Sequence, residues 1–173
     1  MPQQKITAML EGSDRRSIGR ANEVARLVFR HPRRFRELIK CLWNENPVLR
    51  SRAADAAEKV SVKNPRLLNR HKAELLGLLA EAEQIELRWH LAAMVPRLRL
   101  TVRERQRAAA ALHQYLEDRS SIVKTFALQG LTDLAQNAPD LRINVKHLLE
   151  DALQSGTAAM RARARKLLKK FPA

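Results

Sequence analysis

The sequence predicts an all-α fold built from repeated two-helix units, and three observations carry that expectation. Long runs of Ala, Leu, Arg, Glu and Lys favour helix because their side chains lose little rotamer freedom there, while only five glycines and seven prolines interrupt 173 residues. A motif then returns along the chain as Arg50, Ala53, Ala57, Val60, as Arg88, Leu91, Val95, Leu98, as Lys124, Ala127, Leu131, Leu134, and as Arg161, Ala164, Leu168, Phe171. Its basic anchors are 38, 36 and 37 residues apart, a period that marks a stacked repeat architecture. Finally, cap and turn residues fall between the copies, where helices must stop and start.

Offsets of three, seven and ten place each set of side chains on one stripe of a helix, so each copy contributes a helix with a buried face. A weaker copy, Ile18, Ala21, Ala25, Val28, lies 32 residues before Arg50 without a basic anchor. Between these helices lie partners with stripes of their own: Phe35, Leu38, Ile39 and Leu42, then Leu68, Leu75, Leu76 and Leu79. In order, the expected helices are 3–11, 15–30, 33–44, 47–62, 66–82, 85–98, 102–118, 121–137, 140–154 and 158–171.

Local chemistry justifies their ends. Asn46-Pro47 and Asn64-Pro65 each offer a side-chain cap followed by a proline whose missing donor the first turn does not use. Thr101 with Glu104 predicts a capping box, Ser120 or Ser121 and Thr157 are further cap candidates, and Gly156 suits the residue past a helix end. Pro96 falls inside the sixth helix and is expected to kink or end it. The chain is read as one domain, with a partial unit at 1–32 and units at about 33–64, 65–100, 101–138 and 139–173.

Charge bounds the function. Lys and Arg number 33 against 18 Asp and Glu, a net charge of +15, and such an excess draws polyanions. Eight arginines (15, 16, 20, 26, 30, 33, 34 and 36) lie between Arg15 and Arg36 against one acid, Glu23. Arg161, Arg163, Arg165, Lys166, Lys169 and Lys170 close the chain without an acid. A lone Cys41 allows no internal disulfide, residues 1–10 lack the apolar run of a signal peptide, and no window reaches the length of a membrane span. A soluble cytoplasmic protein, without membrane attachment, is expected.

The two-helix unit of about 37 residues, with Asn46, Pro47, Val48, Leu49, Arg50 and Ala53 opening its second helix, resembles a HEAT repeat. The unit carrying Ile122, Val123, Lys124, Ala127 and Leu131 is similar, and the resemblance spans nearly the whole chain. It departs from the pattern at Gln84-Ile85, where Asn-Pro or Asp would stand, and at Thr157, which replaces an acid. The resemblance implies a right-handed α-solenoid whose second helices line a concave surface that binds proteins or nucleic acids. It also implies that the anchors Arg50, Arg88, Lys124 and Arg161 pair with an acid of the adjacent turn to lock units together. A two-helix unit cannot bury its apolar face alone, so stacking supplies the core.

Opposite the buried stripe, the positions two and nine after each anchor are expected to be exposed. They are Arg52 and Lys59, His90 and Arg97, Phe126 and Asp133, Arg163 and Lys170. Six of those eight are basic or histidine, so Arg52, Lys59, His90, Arg97, Arg163 and Lys170 form the candidate row for nucleic-acid phosphates or an acidic protein partner. Trp89 and Phe126 are candidate stacking residues beside it, whereas Trp43 closes an apolar face and is expected in the core. So few aromatic residues favour backbone contacts to duplex over stacking on single strands.

Catalysis lacks a constellation. His31, His71, His90, His113 and His147 are scattered without metal-ligand spacing, there is no glycine-rich phosphate loop or nucleophile elbow, and Cys41 reads as a small core residue. No metal, cofactor or small-molecule substrate is implied. One HEAT-like group, the alkylpurine DNA glycosylases, keeps an enzymatic alternative through Asp133 beside Trp89 or Phe126. A non-catalytic scaffold for nucleic acid or an acidic protein is the expected function.

Overall fold

A computed structural model describes residues 5–14 and 16–171. The expected positions 3, 4 and 15 at helix starts, and Arg15 of the arginine cluster, lie outside the described residues. Among those described, ten α-helices occur and no strand: α1 Ile6–Leu10, α2 Ala21–Arg30, α3 Phe35–Lys40, α4 Pro47–Lys63, α5 Lys72–Glu81, α6 Ile85–Met94, α7 Val102–Tyr115, α8 Ser121–Ala135, α9 Pro139–Ser155 and α10 Ala158–Leu167. None is long and apolar enough to cross a membrane.

Helices pack in chain order as pairs, α3 with α4, α5 with α6, α7 with α8 and α9 with α10. The second helix of each pair also packs on the next, giving the contiguous series α2, α4, α6, α8 and α10. The repeated stripe makes this possible. Ala53, Ala57 and Val60, then Leu91, Val95 and Leu98, then Ala127, Leu131 and Leu134 are all buried, as are Ala164 and Phe171. Small residues allow close approach: a Cβ on Gly130 of α8 would lie 2.7 Å from the carbonyl oxygen of Ala92 on α6.

The caps explain most boundaries. The Asn46 side chain accepts from the backbone amides of Val48 (2.9 Å) and Leu49 (3.3 Å), with Pro47 at the first position. Thr101 and Glu104 form the capping box in both directions, at 2.8 and 3.3 Å. Thr157 accepts from Met160 N at 3.3 Å. Pro96 ends α6 at Met94 in a 3₁₀ turn over Val95–Arg97.

Several expectations need correction. Asn64 provides no side-chain cap, and Pro65–His71 is 3₁₀, so α5 starts only at Lys72. The second expected helix starts at Ala21, because Gly19 takes φ +51°, a left-handed conformation that interrupts the coil. The third closes as a 3₁₀ turn at Cys41–Trp43, and this turns Trp43 outward to 53% exposure instead of into the core. Cys41 is buried as expected and its thiol donates to Glu37 O at 3.3 Å. Burial, with Glu37 nearby, pushes that thiol up to about 11, which makes it a poor nucleophile.

Candidate functional site

The second-helix row was expected to face solvent, and the structure places most of it between neighbouring helices. Arg52 is buried and binds four carbonyl oxygens of the N-terminal segment: Nη1 donates to Leu10 (3.1 Å) and Glu11 (2.6 Å), Nε to Ser17 (3.0 Å) and Nη2 to Asp14 (3.1 Å). The guanidinium fits because Gly12 and Gly19 have no side chain there; a Cβ on either would come within 2.3 and 2.7 Å of it. His90 is only 3% exposed, its Nδ1 is buried without a hydrogen bond, and its ring lies 3.4 Å from that of Trp89. Burial, reinforced by the charge of Lys59, lowers its pKa to about 3, so it is neutral at physiological pH. Neither residue is a surface contact.

The rest of the row reaches back to the preceding second helix. Lys59 Nζ donates to Asp55 (2.6 Å) and to Asn22 on α2 (2.7 Å). Arg97 donates to the Glu58 carboxylate and Ser61 hydroxyl of α4, both at 2.6 Å. Arg163 donates to Gln129 on α8 at 2.9 Å, while Lys170 lies 3.6 Å from Asp133 on the same helix. Trp89 and Phe126 are half-buried with ring centroids 5.0 Å apart, and the Arg163 guanidinium lies 5.4 Å from the Phe126 ring. Asp133 also accepts from Gln129 at 2.9 Å, so the carboxylate singled out for an enzymatic reading is engaged by two neighbours.

The three arginine anchors bind the turns that precede the second helices, and of these Arg88 alone meets an acid among the described residues. Arg50 donates to the Gln84 side chain of the next pair (2.5 Å) and to Asn44 O (3.3 Å), and Gln84 in turn donates to Pro47 O (2.9 Å). Arg88 donates to Ala82 O (2.6 Å) and to Asp118 (2.5 Å), also in the next pair. For Asp118 burial raises the carboxyl pKa, but hydrogen bonds from Ser120 N and Arg88 outweigh it and the net shift is downward. Arg161 donates locally to Gly156 O at 2.6 Å, and Lys124 is half-buried.

One cluster of unengaged positive charge sits at the junctions that follow the second helices. Residues 32–36 and 64–74 enclose a cleft of about 840 Å³ carrying Arg33, Arg36, Arg66 and Arg70. All four are exposed, and among the described residues none has a hydrogen-bond or ion-pair partner. Glu74 is the cleft's one acid, and its carboxylate lies 3.3 Å from His71 Nδ1. Phe35 from one junction meets the His71 ring from the next at 5.9 Å, which fixes the two walls together. The edge continues: Arg99 N donates to Asn69 (2.9 Å), Lys72 pairs with Glu104 (2.8 Å), and Arg105 donates to Asn137 O (2.8 Å). The side chains of Arg99 and Arg103 are exposed along this line.

A sequence signal for this edge exists. Pro-Arg occurs at Pro32-Arg33 and Pro65-Arg66, each just after a second helix, while the third copy, Pro96-Arg97, turns its arginine back to Glu58 and Ser61 on α4. It escapes a search anchored on helix stripes because it lies in the turns. Among the described residues no group of three His, Cys, Asp or Glu side chains is placed to hold a metal. No protein-family model matches the chain, and no curated protein is found to match it.

Proposed function

We propose that the chain is a HEAT-like α-solenoid acting as a non-catalytic scaffold, and that its junction edge binds the phosphate backbone of double-stranded nucleic acid. The observation that supports this most is the cleft with Arg33, Arg36, Arg66 and Arg70, four guanidinium groups against one acid, Glu74, whose carboxylate lies against His71 and pairs with none of them. Clustered like charge destabilises a fold unless something answers it, and a guanidinium fork matches phosphate oxygens in pairs. Arg99 and Arg103 extend the line along successive pairs, as backbone tracking requires. The binding residues thus shift from the row of second helices to the turns beside them.

The test is fluorescence anisotropy with a labelled duplex at several salt concentrations, comparing the wild type with R33Q/R36Q/R66Q/R70Q. Four lost phosphate contacts are expected to flatten the slope of log K against log salt by about 3 to 4 and to lower affinity roughly ten-fold or more at 0.15 M salt. Unchanged affinity in the variant, or no binding by the wild type, would sink this reading. Loss of an acidic protein ligand in the same variant, with duplex binding absent throughout, would assign the edge to a protein partner.

A further inference from the structure

At the other end of the pairs lies a second cleft, of about 290 Å³, between the turn Cys41–Trp43 and the α5–α6 junction. The 17 residues of α4 separate its turn from the arginine edge, a rise of about 25 Å. Trp43 forms one wall and is half exposed, Leu78 and Leu87 are buried at its base, and Glu81 and Glu83 stand exposed on its rim. Among the described residues neither carboxylate has a partner, and the Trp43 ring meets no other ring or cation. The one cation in the cleft, Arg50, is turned to Gln84 and Asn44 and so leaves the rim acids unanswered.

We propose that this cleft docks a basic segment of a partner protein, seating a lysine or arginine side chain on the Trp43 face between Glu81 and Glu83. An indole face attracts a cation directly, and its broad apolar surface covers the methylene stem, while the two carboxylates meet the charged head. A phosphate or an anionic lipid surface would be repelled by the same pair. A neutral apolar segment would leave two carboxylates beside it without a counter-charge. The chain's own arginine edge fits poorly as occupant, because its densest part is itself a cleft and two concavities do not fill one another. This inference is independent of the nucleic-acid reading, since it uses other residues at the other edge.

The experiment titrates the full chain with a fluorescein-labelled Gly-Arg repeat peptide and a Gly-Lys one, by anisotropy in 0.15 M salt. That ionic strength shortens the reach of the chain's overall positive charge to about 8 Å. W43A and E81Q/E83Q, each checked by thermal melting for an intact fold, are expected to weaken binding about five-fold or more, while E117Q, elsewhere on the same edge, leaves it unchanged. The Trp43 indole N–H resonance is expected to shift on peptide addition in the wild type. Equal binding by wild type and both cleft variants, equal weakening by E117Q, or no peptide binding would overturn the proposal. Concentration-dependent self-association by sedimentation, lost in E81Q/E83Q, would make a second copy the occupant and overturn it as well.

Discussion

The row along the second helices and the edge formed by the junctions after them both carry arginines, yet the two sets do opposite things. Arg52, Arg97 and Arg163 spend their donors on the preceding helix or on the N-terminal segment, reaching carbonyls, a carboxylate, a hydroxyl and an amide within 2.6 to 3.3 Å. Arg33, Arg36, Arg66 and Arg70 engage nothing among the described residues. The difference teaches that position in the repeat, and not charge, separates a cation that holds the fold from one available to a ligand. A helix in the middle of a series has flanks covered by both neighbours, and Arg97, although it lies in the turn after α6, reaches back to α4, whereas the four cleft arginines are exposed.

That contrast is open to attack by mutation, beginning where the fold depends most on a cation. Arg52→Ala removes the donors of four backbone carbonyls and leaves them poorly satisfied. It is expected to cost about 3 kcal/mol, because hydrogen bonds from charged groups are the strong ones and orphaned buried acceptors are expensive. Urea denaturation measures the loss, and hydrogen exchange is expected to show α1 and residues 11–14, 16 and 17 deprotected while duplex affinity stays the same. Lost duplex affinity with unchanged stability would return Arg52 to the binding surface and break the contrast.

His90 offers a test by pH. Its folded pKa, about 3, lies below the ordinary value of 6.5, so between those limits the unfolded chain binds the extra proton. Stability is therefore full above pH 6.5 and falls as pH drops toward 3. From pH 7 to pH 5 the loss due to this residue is about 2 kcal/mol, at 1.36 kcal/mol per pH unit. The groups that face it matter to the sign: Lys59 opposes protonation, and Trp89 adds apolar cover. Urea melts at the two pH values measure the drop, and His90→Leu is expected to remove that part of it. A histidine exposed for ligand binding would show no such drop.

A smaller effect sharpens the same comparison. Glu58→Gln weakens the link to Arg97, whose partly exposed pair spans α4 and the turn after α6. The expected cost is below about 1 kcal/mol, as for other half-solvated ion pairs. Thermal melting with and without Arg97→Gln forms a double-mutant cycle, and a coupling energy near zero would make Arg97 a free cation like those of the junction edge.

How much of this was legible without the structure depends on the range of the interaction. The ten helices, the buried stripes and the caps at Asn46, Thr101 and Thr157 follow from local rules, since helical period and capping act within one turn of chain. Asn64 and Trp43 escaped those rules. At Asn64 the chain takes a 3₁₀ course, and a 3₁₀ ending at Cys41–Trp43 rotates Trp43 off its expected face, because the period changes from 3.6 to 3.0 residues. The expected exposure failed at Arg52 and His90 for a different reason, while Lys170 is exposed as expected: one apolar stripe says which face is buried first, not how many others are covered.

The sequence by itself determined an all-helical chain with a repeat near 37 residues, a strong positive charge and the places where helices start. Only the tertiary structure decided that Arg52 and His90 lie inside, that Arg97 and Arg163 bind a neighbouring helix, and that Arg33, Arg36, Arg66 and Arg70 share one open cleft. The physical reason is separation along the chain. Arg52 meets carbonyls 35 to 42 residues away, so its fate depends on how the N-terminal segment and α4 pack together, which no local pattern encodes.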